Sequence, residues 1–323
     1  MTQTTMEKLV ETYRDGFIVG DYRLRLIGQR DESLDAERDK WVEGDDESIW
    51  QRDQWGKDIK SVVALDQGSY GDQGVMLVGK PHEDGQELVA ENGGQGEHEW
   101  AKAAGGKGHF FLDHIPSGKT VGYKAIMAIA KDPLEVADEN GNVKTDTPFN
   151  HIYNGSVSDM EMGPEFVTDM QAGGSYDFMW NSIVVNDEHK DTGGRLLSQF
   201  AAKFFNALQD EAGVNSGKVL VEAVSDNGLK ATIDMYGAAP TRATGCGGVF
   251  LEGEMKHLTS LKGRLDHAKE TNTMHEFNKQ KQDMRRETIR QAAKVLGRTK
   301  EQYQETLRKF NISETGTEQE RTR

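Results

Sequence analysis

A pair of glycines between a strand-like and a helix-like segment is the feature of this sequence with the clearest chemical use. Gly193 and Gly194 end a polar stretch, and an amphipathic run over residues 195–211 follows them directly. Backbone N–H groups at the start of a helix attract phosphate, and glycine lets an anion approach the backbone closely. Lys190 and Arg195 add positive charge on either side. The stretch is therefore a candidate phosphate site.

The elements around the glycine pair follow one another as strand, loop, helix, strand and helix. Apolar residues 178–185 predict a strand, the amphipathic run predicts a helix with one stripe packed on a sheet, and residues 218–224 predict a second strand. A polar corner at residues 225–227 leads into another helix, which ends near Tyr236. The alternative is an ordinary crossover without a ligand, because a glycine pair before a helix is weak evidence by itself.

Residues 178–236 resemble the core of the GNAT acetyltransferase superfamily, in which a strand, a glycine loop and a helix hold the pyrophosphate of acetyl-CoA. The family loop, Val-x-Pro-x-x-Arg-Gly-x-Gly-x-Gly or Ala, is matched by the run from Val185 to Leu197. Asp187 replaces the usual proline, and the two glycines lack the residue that normally separates them. The stretched counterparts of the family's Asn-x-x-Ala-x-x-x-Tyr sequence are Asn227, Ala231 and Tyr236.

The resemblance implies an α+β fold with a mixed, mostly antiparallel sheet flanked by helices, and transfer of an acetyl group from acetyl-CoA, as cosubstrate, to an amine. The residues implied to bind the cofactor are Lys190, Asp191, Thr192, Gly193, Gly194, Arg195 and Asn227. The backbone N–H of Val185 would bond the thioester oxygen, and Tyr236 would protonate the departing thiolate, a role suited to a phenol with a pKa of about 10. The candidates for a general base are Asp177, Glu222, His189 and water.

The charge is unevenly distributed along the 323 residues. Residues 256–312 carry 14 Lys or Arg and 7 Asp or Glu, whereas residues 1–255 carry 23 and 44. We expect a GNAT-like domain over residues 1–255 with glycine- and acid-rich insertions, a helical module over 256–312 and a disordered tail over 313–323. The acidic part favours a cationic acceptor, either a small amine or a protein lysine, and the basic part favours DNA or a protein, although a solvated helical face is the commoner explanation.

The end of the basic segment resembles the Fis-type helix-turn-helix of bacterial regulators. The family pattern is Ala-Ala-x-x-Leu-Gly, a short turn, and a second helix that ends Leu-x-x-Tyr-Gly-Ile; its counterparts are Ala292, Ala293, Leu296, Gly297, Leu307, Phe310 and Ile312. Asn311 replaces a glycine and can adopt the same left-handed cap. The implied DNA contacts of a recognition helix over 300–309 are Lys300, Gln302, Gln304, Arg308 and Lys309. Glu301 and Glu305 would repel phosphate, and docking to a protein is the alternative.

Other segments give structural expectations or misleading motifs. Residues 61–65 and 74–80 predict a strand pair, and residues 81–108 predict an exposed loop. The hairpin predicted over 108–131 contains Ser117-Gly118-Lys119-Thr120, which looks like the end of a P-loop but lacks its earlier glycine and precedes a strand. His109 and His114 would face opposite sides of a strand, so no metal site is predicted.

Composition restricts the class of protein. The single cysteine, Cys246, allows no disulfide within the chain and favours a reducing compartment, and no run of about 18 apolar residues predicts a membrane span. We expect a cytoplasmic protein of a bacterium or a phage-infected cell with no membrane partner; homo-oligomerisation stays open. Besides an N-acyltransferase, two classes remain: a degenerate GNAT-like structural or assembly protein of a phage or mobile element, and a DNA-binding regulator.

Overall fold

The computed structural model describes residues 4–41, 45–73, 95–137, 141–155, 163–223, 225–244 and 248–312. In these segments the chain has an α+β fold, in which mostly antiparallel strands are flanked by helices, as the sequence predicts. The described residues divide into two compact units, one that ends at Gly217 and one that begins at Lys218. The boundary predicted between residues 255 and 256 falls inside the second unit.

The first unit contains most of the strands. Its elements are α1 (Thr5–Asp15), β1 (Phe17–Val19), β2 (Tyr22–Leu26), α2 (Asp35–Arg38), α3 (Gln54–Gln73), α4 (Gln95–Ala103), β3 (His109–His114), β4 (Lys119–Ala128), β5 (Leu134–Ala137), β6 (Val143–Asp146), α5 (Pro148–Asn154), β7 (Ser175–Val185) and α6 (Lys190–Ala212). Strands β1, β2, β3, β4 and β7 are neighbours in this order, and each neighbouring pair is antiparallel. Strands β5 and β6 form a separate hairpin. The hairpin predicted over 108–131 is confirmed by β3 and β4.

Helix α6 covers one face of these strands with the apolar stripe that its sequence predicts. The buried members of the stripe are Leu196, Leu197, Phe200, Ala201, Phe204, Phe205 and Leu208. The ring of Phe110 in β3 lies 5.9 Å, 5.7 Å and 6.1 Å from the rings of Phe200, Phe204 and Phe205, measured between centroids. The aromatic residues of α6 therefore build the core, as expected.

The opposite face is covered by the segment between β2 and β3. Its tryptophans, Trp41, Trp50 and Trp55, are buried, and they pack with Ile59 and Val62 of α3 against Phe111 and Tyr123. The strand predicted at residues 61–65 is wrong, because these residues continue α3; a short apolar run fits either element. Its expected partner at 74–80 lies outside the described residues. In the segment predicted as a loop over 81–108, residues 95–103 form helix α4.

The second unit combines three strands with the C-terminal helices. Strand β8 (Asn215–Ala223) leads into it, and its other elements are α7 (Asp226–Tyr236), β9 (Ala239–Ala243), β10 (Val249–Glu254), α8 (Met255–Glu270), α9 (Met274–Val295) and α10 (Lys300–Lys309). Strand β10 pairs antiparallel with both β8 and β9. Strand β9 lies in the glycine-containing segment between α7 and β10, and Cys246 in the same segment lies outside the described residues.

The C-terminal helices pack on the strands and helix of their own unit. Helix α9 contacts α7 through Arg285, whose Nε lies 2.7 Å from a carboxylate oxygen of Asp234, and it buries Ile289 and Ala292. The predicted helical module begins with two separate helices, α8 and α9, divided at Asn272, which has a φ of 56°. Helix α10 has the predicted bounds. The predicted glycine turn and asparagine cap are confirmed by left-handed conformations at Gly297 and Asn311, with φ values of 63° and 53°.

None of the helices in the described segments combines the length and apolar character that a membrane span needs.

Lys124 in β4 is a buried cation that should make stability depend on pH. The side chain is 0% exposed, its Nζ lies 4.5 Å from the centre of the Trp180 ring, and burial lowers its pKa to about 7. An unfolded lysine keeps its proton up to about pH 10.4. Between these values unfolding takes up a proton, so this group makes stability rise with pH by up to ~1.4 kcal/mol per pH unit.

We expect Lys124→Met to remove this part of the pH dependence and to raise the free energy of unfolding at neutral pH. Urea unfolding over roughly pH 7 to 9.5 measures both effects. Lys203→Met, which changes an exposed lysine of α6, is the matched control and should keep the wild-type slope. An unchanged slope in Lys124→Met would contradict the burial argument.

Candidate cofactor-binding site

The end of strand β7 directs one backbone amide away from its neighbour β4. Val185 is opposite Gly122, and the N–H of the next residue, Asn186, donates to the carbonyl of Val121 over 2.9 Å. In an antiparallel ladder this pattern makes Gly122 and Val185 a non-hydrogen-bonded pair, whose N–H and C=O groups point outward. The N–H of Val185, predicted to bond a thioester oxygen, is therefore not used by β4.

The same strand contains a β-bulge before this point. Ala125 of β4 is opposite Ser182, but the next residue, Ile126, is opposite Trp180, so Asn181 is an extra residue in β7. A bulge interrupts the ladder and bends the strand locally. It separates the last residues of β7 from the regular register of the rest of the strand.

Helix α6 begins five residues earlier than its sequence pattern predicts. A 3₁₀ turn over Asp187–His189 leads directly into the helix at Lys190. Helix geometry commits the amides from Gly193 onward to carbonyls four residues earlier. The amides of Asp191 and Thr192 lie in the first turn, where the helix itself offers no such carbonyl, and where its dipole is positive. These two amides, rather than the five predicted from Asp191 to Arg195, are the ones presented at the helix start.

The two glycines have different surroundings. A Cβ atom on Gly193 would lie 2.6 Å from Cγ1 of Val185 and 2.8 Å from Cδ2 of Leu112, so the missing side chain lets the helix start pack closely on β7 and β3. A Cβ atom on Gly194 would meet only Cδ1 of Ile183, at 4.0 Å. Gly193 therefore has a packing role, whereas Gly194 borders open space.

Both predicted cationic side chains of the helix start are accessible. The ammonium of Lys190 is 3.1 Å from a carboxylate oxygen of Asp187, and each side chain is more than half exposed. An exposed ion pair of this kind contributes little stability, so Lys190 can exchange this partner for a bound anion at small cost. Arg195 is exposed one turn further along the helix, and the exposed carboxylate of Asp191 opposes anion binding.

An aromatic and histidine cluster beside this helix start was missed by the sequence analysis. The hydroxyl of Tyr22 is 3.0 Å from Nδ1 of His189, and the rings of His114 and His189 are 4.7 Å apart. Pairing of β2 with β3 places Tyr22 opposite His114. No local signal could have found this cluster, because its members are brought together only by strand register and by the turn before α6.

His109 and His114, for which no metal site is predicted, lie in different environments. His109 is buried, its Nδ1 lies 2.9 Å from the hydroxyl of Tyr123, and burial lowers its pKa to about 4. His114 has its Nδ1 2.9 Å from the hydroxyl of Ser117 near the surface. Within the described segments no group of three or more His, Cys, Asp or Glu side chains is arranged to hold a metal ion.

In the second unit the structure does not bring Asn227 and Tyr236 together. They lie in the first and last turns of α7, nine positions apart, which corresponds to roughly 13 Å along the helix axis. Tyr236 is 1% exposed, and burial raises its pKa well above 10, so its phenol stays protonated. Of the candidate bases, Asp177 is in β7, Glu222 is in β8, and His189 interacts with Tyr22.

Helix α10 exposes most of the residues predicted to contact DNA. Lys300, Gln302, Arg308 and Lys309 are exposed, and Gln304 is half-buried. The opposite side of the helix buries Leu307. The acidic residues Glu301 and Glu305 are exposed as well, so this face of the helix carries both charges.

Comparison of the chain with protein-family models, with curated proteins and with solved structures finds no match.

The contrast between the glycines predicts opposite effects of the same substitution. Gly193→Ala should destabilise the protein by about 1–3 kcal/mol, because its methyl group overlaps Val185 and Leu112. Gly194→Ala should stabilise by up to ~1 kcal/mol, because alanine favours the helix and the space is open. Thermal unfolding of both variants measures the difference. Equal effects would show that the close contact at Gly193 is absent.

Proposed function

We propose that the chain is an acetyl-CoA-dependent N-acyltransferase. The observation that supports the proposal is the geometry at the end of β7. The N–H of Val185 points away from β4, and a 23-residue helix begins at Lys190, shortly after that strand. The order of elements also agrees with the resemblance, since β7, α6, β8 and α7 follow one another as expected.

Each part of the helix start has a role in this proposal. The amides of Asp191 and Thr192 donate to the pyrophosphate at the positive end of the helix, and Lys190 and Arg195 add charge. The N–H of Val185 donates to the thioester oxygen and stabilises the negative charge that develops there. The amine nitrogen forms a bond to the acetyl carbon, the carbon–sulfur bond breaks, the amine loses a proton and the thiolate gains one.

Tyr236 is the proton donor that the resemblance assigns to the thiolate. Its buried phenol has a raised pKa, so it holds the proton that this role requires at neutral pH, although the raised pKa also makes it a weaker acid than a free phenol. This role is a separate proposal from cofactor binding, because it concerns a residue of the second unit. The predicted contact of Asn227 with the cofactor is likewise a separate proposal, because Asn227 also belongs to the second unit.

Charge favours a cationic acceptor. Residues 1–255 carry 23 Lys or Arg against 44 Asp or Glu. A strongly negative surface raises the local concentration of cations and the rate at which they arrive. We therefore propose a small amine or a protein lysine as the acceptor.

The test is calorimetric titration of the full-length protein with acetyl-CoA and, separately, with CoA. We expect micromolar binding that Gly194→Asp abolishes, because it sets a carboxylate beside the pyrophosphate. Gly194→Ala is the matched control, since it adds a methyl group to open space without charge and should retain most of the affinity.

Two outcomes would count against parts of the proposal. Absence of binding at millimolar acetyl-CoA would overturn the acyltransferase function and favour a structural or assembly role for the fold. A Tyr236→Phe variant that binds acetyl-CoA and also turns over normally with an accepted amine would remove Tyr236 from the chemistry and leave the binding site intact.

The C-terminal helices support a second candidate function, a DNA-binding regulator. The helix α10 lies between the left-handed residues Gly297 and Asn311 and exposes Lys300, Arg308 and Lys309.

Replacement of Lys300, Arg308 and Lys309 by glutamine should weaken DNA binding and lower its salt slope by about 0.9 for each phosphate that is no longer neutralised, measured by fluorescence anisotropy. Replacement of Glu301 and Glu305 by glutamine should strengthen binding. If the two multiple variants bind DNA equally, α10 is not the DNA-binding element.

A further inference from the structure

The second unit contains a cleft that is lined by Tyr236, the proposed proton donor, and by residues to which neither candidate function gives a role. It lies between the last residues of α7, the end of β10 and the first three turns of α8, and has a volume of about 530 Å³. Clefts of this size accommodate a small organic molecule. The side chains from α8 that line it include His257, Ser260 and Arg264.

The carboxylates in the cleft already have cationic partners. Glu252 lies 3.1 Å from the ammonium of Lys218, and Glu254 lies 2.5 Å from that of Lys256. A cationic ligand would have to compete with these lysines for the carboxylates.

Arg264 is the cation of the cleft that lacks such a partner. Within the described segments no carboxylate lies within 4 Å of its guanidinium, and its one hydrogen bond there runs from Nη2 to the carbonyl oxygen of His257, at 3.1 Å. The side chain as a whole is exposed, and partial desolvation of the guanidinium lowers its pKa. A guanidinium has five N–H donors in a planar fork, so most of its donors are available to a ligand. The lining residues carry two carboxylates and two cations, and Lys218, which pairs with Glu252 from outside the lining, brings the sum to one excess positive charge.

Two further polar side chains lie on the same side of α8. His257, Ser260 and Arg264 are three and four residues apart, a spacing that places them on one helix face. Burial is the main reason that the pKa of His257 is lowered to about 4, and Arg264 lowers it further, whereas Asp234 and Glu254 oppose the shift. The imidazole is therefore neutral at pH 7 and can donate one ring N–H, and the hydroxyl of Ser260 can reorient to donate to a ligand.

We infer that this cleft binds a small organic anion that carries a carboxylate or phosphate group. The guanidinium of Arg264 binds two oxygens of the anion, and His257 and Ser260 donate to it from the same helix face. Carboxylate and phosphate both offer two anionic oxygens that the two parallel N–H donors of a guanidinium can reach, and this pair of oxygens is the chemistry they share. The inference uses residues of α8 and does not depend on acetyl-CoA binding.

The test is NMR of the histidine ring protons of the full-length protein during titration with inorganic phosphate and, in a second arm, with acetate, at constant ionic strength. We expect a saturable shift of the His257 signal in at least one arm and a pKa of His257 that rises when the anion is bound, because a nearby negative charge favours the imidazolium. The stronger arm identifies the preferred group. Assignment of the signal comes from its loss in His257→Gln.

Substitutions of Arg264 test whether the anion binds in this cleft. Arg264→Gln should weaken binding by about 10-fold or more, and Arg264→Lys, which keeps the charge but loses the fork, should fall between it and the wild type. Lys294→Gln removes one exposed positive charge outside the cleft and should bind as the wild type does. The inference is overturned if neither anion gives a saturable shift, or if Arg264→Gln and Lys294→Gln bind equally.

Discussion

The packing of helix α6 on β3, β4 and β7 is the interaction on which the first unit depends. Phe200, Phe204 and Phe205 meet Phe110 on the sheet, and burial of such a side chain contributes about 1.5–3 kcal/mol. This packing fixes the position of the whole helix, including its first turn. The close approach at Gly193 then sets the start of α6 against the end of β7. The candidate cofactor site is thus a consequence of how the core is packed.

Buried cationic side chains on the two faces of these strands are accommodated in different ways. On the side of α3, Arg25 donates to both Asp58 and Asp113, with shortest distances of 2.6 Å to each, and Asp58 also accepts from the amide of Gly28. A buried guanidinium with two carboxylates is compensated, but loss of either partner would leave a charge in the interior. On the side of α6, Lys124 rests on the ring of Trp180 and shifts its pKa instead. Arg25 keeps its charge between two carboxylates, whereas burial lowers the pKa of Lys124, a contrast that also reflects how much more readily an ammonium than a guanidinium loses its proton.

Local patterns in the sequence predicted more of the fold than of the site. The helix α10 and the cap at Asn311 were predictable because propensity, capping residues and turn chemistry act over a few neighbours. Strand β9 was missed because Pro240 and small residues give no strand signal, and pairing with β10 supplies what the local sequence lacks. The start of α6 was misplaced because glycines disfavour a helix, whereas the packing at Gly193 overrides that preference. The contact of Tyr22 with His189 depends on strand register, and no pattern in a single segment encodes it.

The packing of α9 has a consequence for how the protein can be shortened. The helix buries Ile289 and Ala292, lies against β9 and α7, and pairs Arg285 with Asp234. A truncation after residue 255 would expose apolar surface on β9 and α7 and leave the carboxylate of Asp234 without its guanidinium. The basic C-terminal segment is thus part of the second unit's core and cannot be deleted as a detachable tail, so its contribution to any activity has to be separated by surface substitutions on α10.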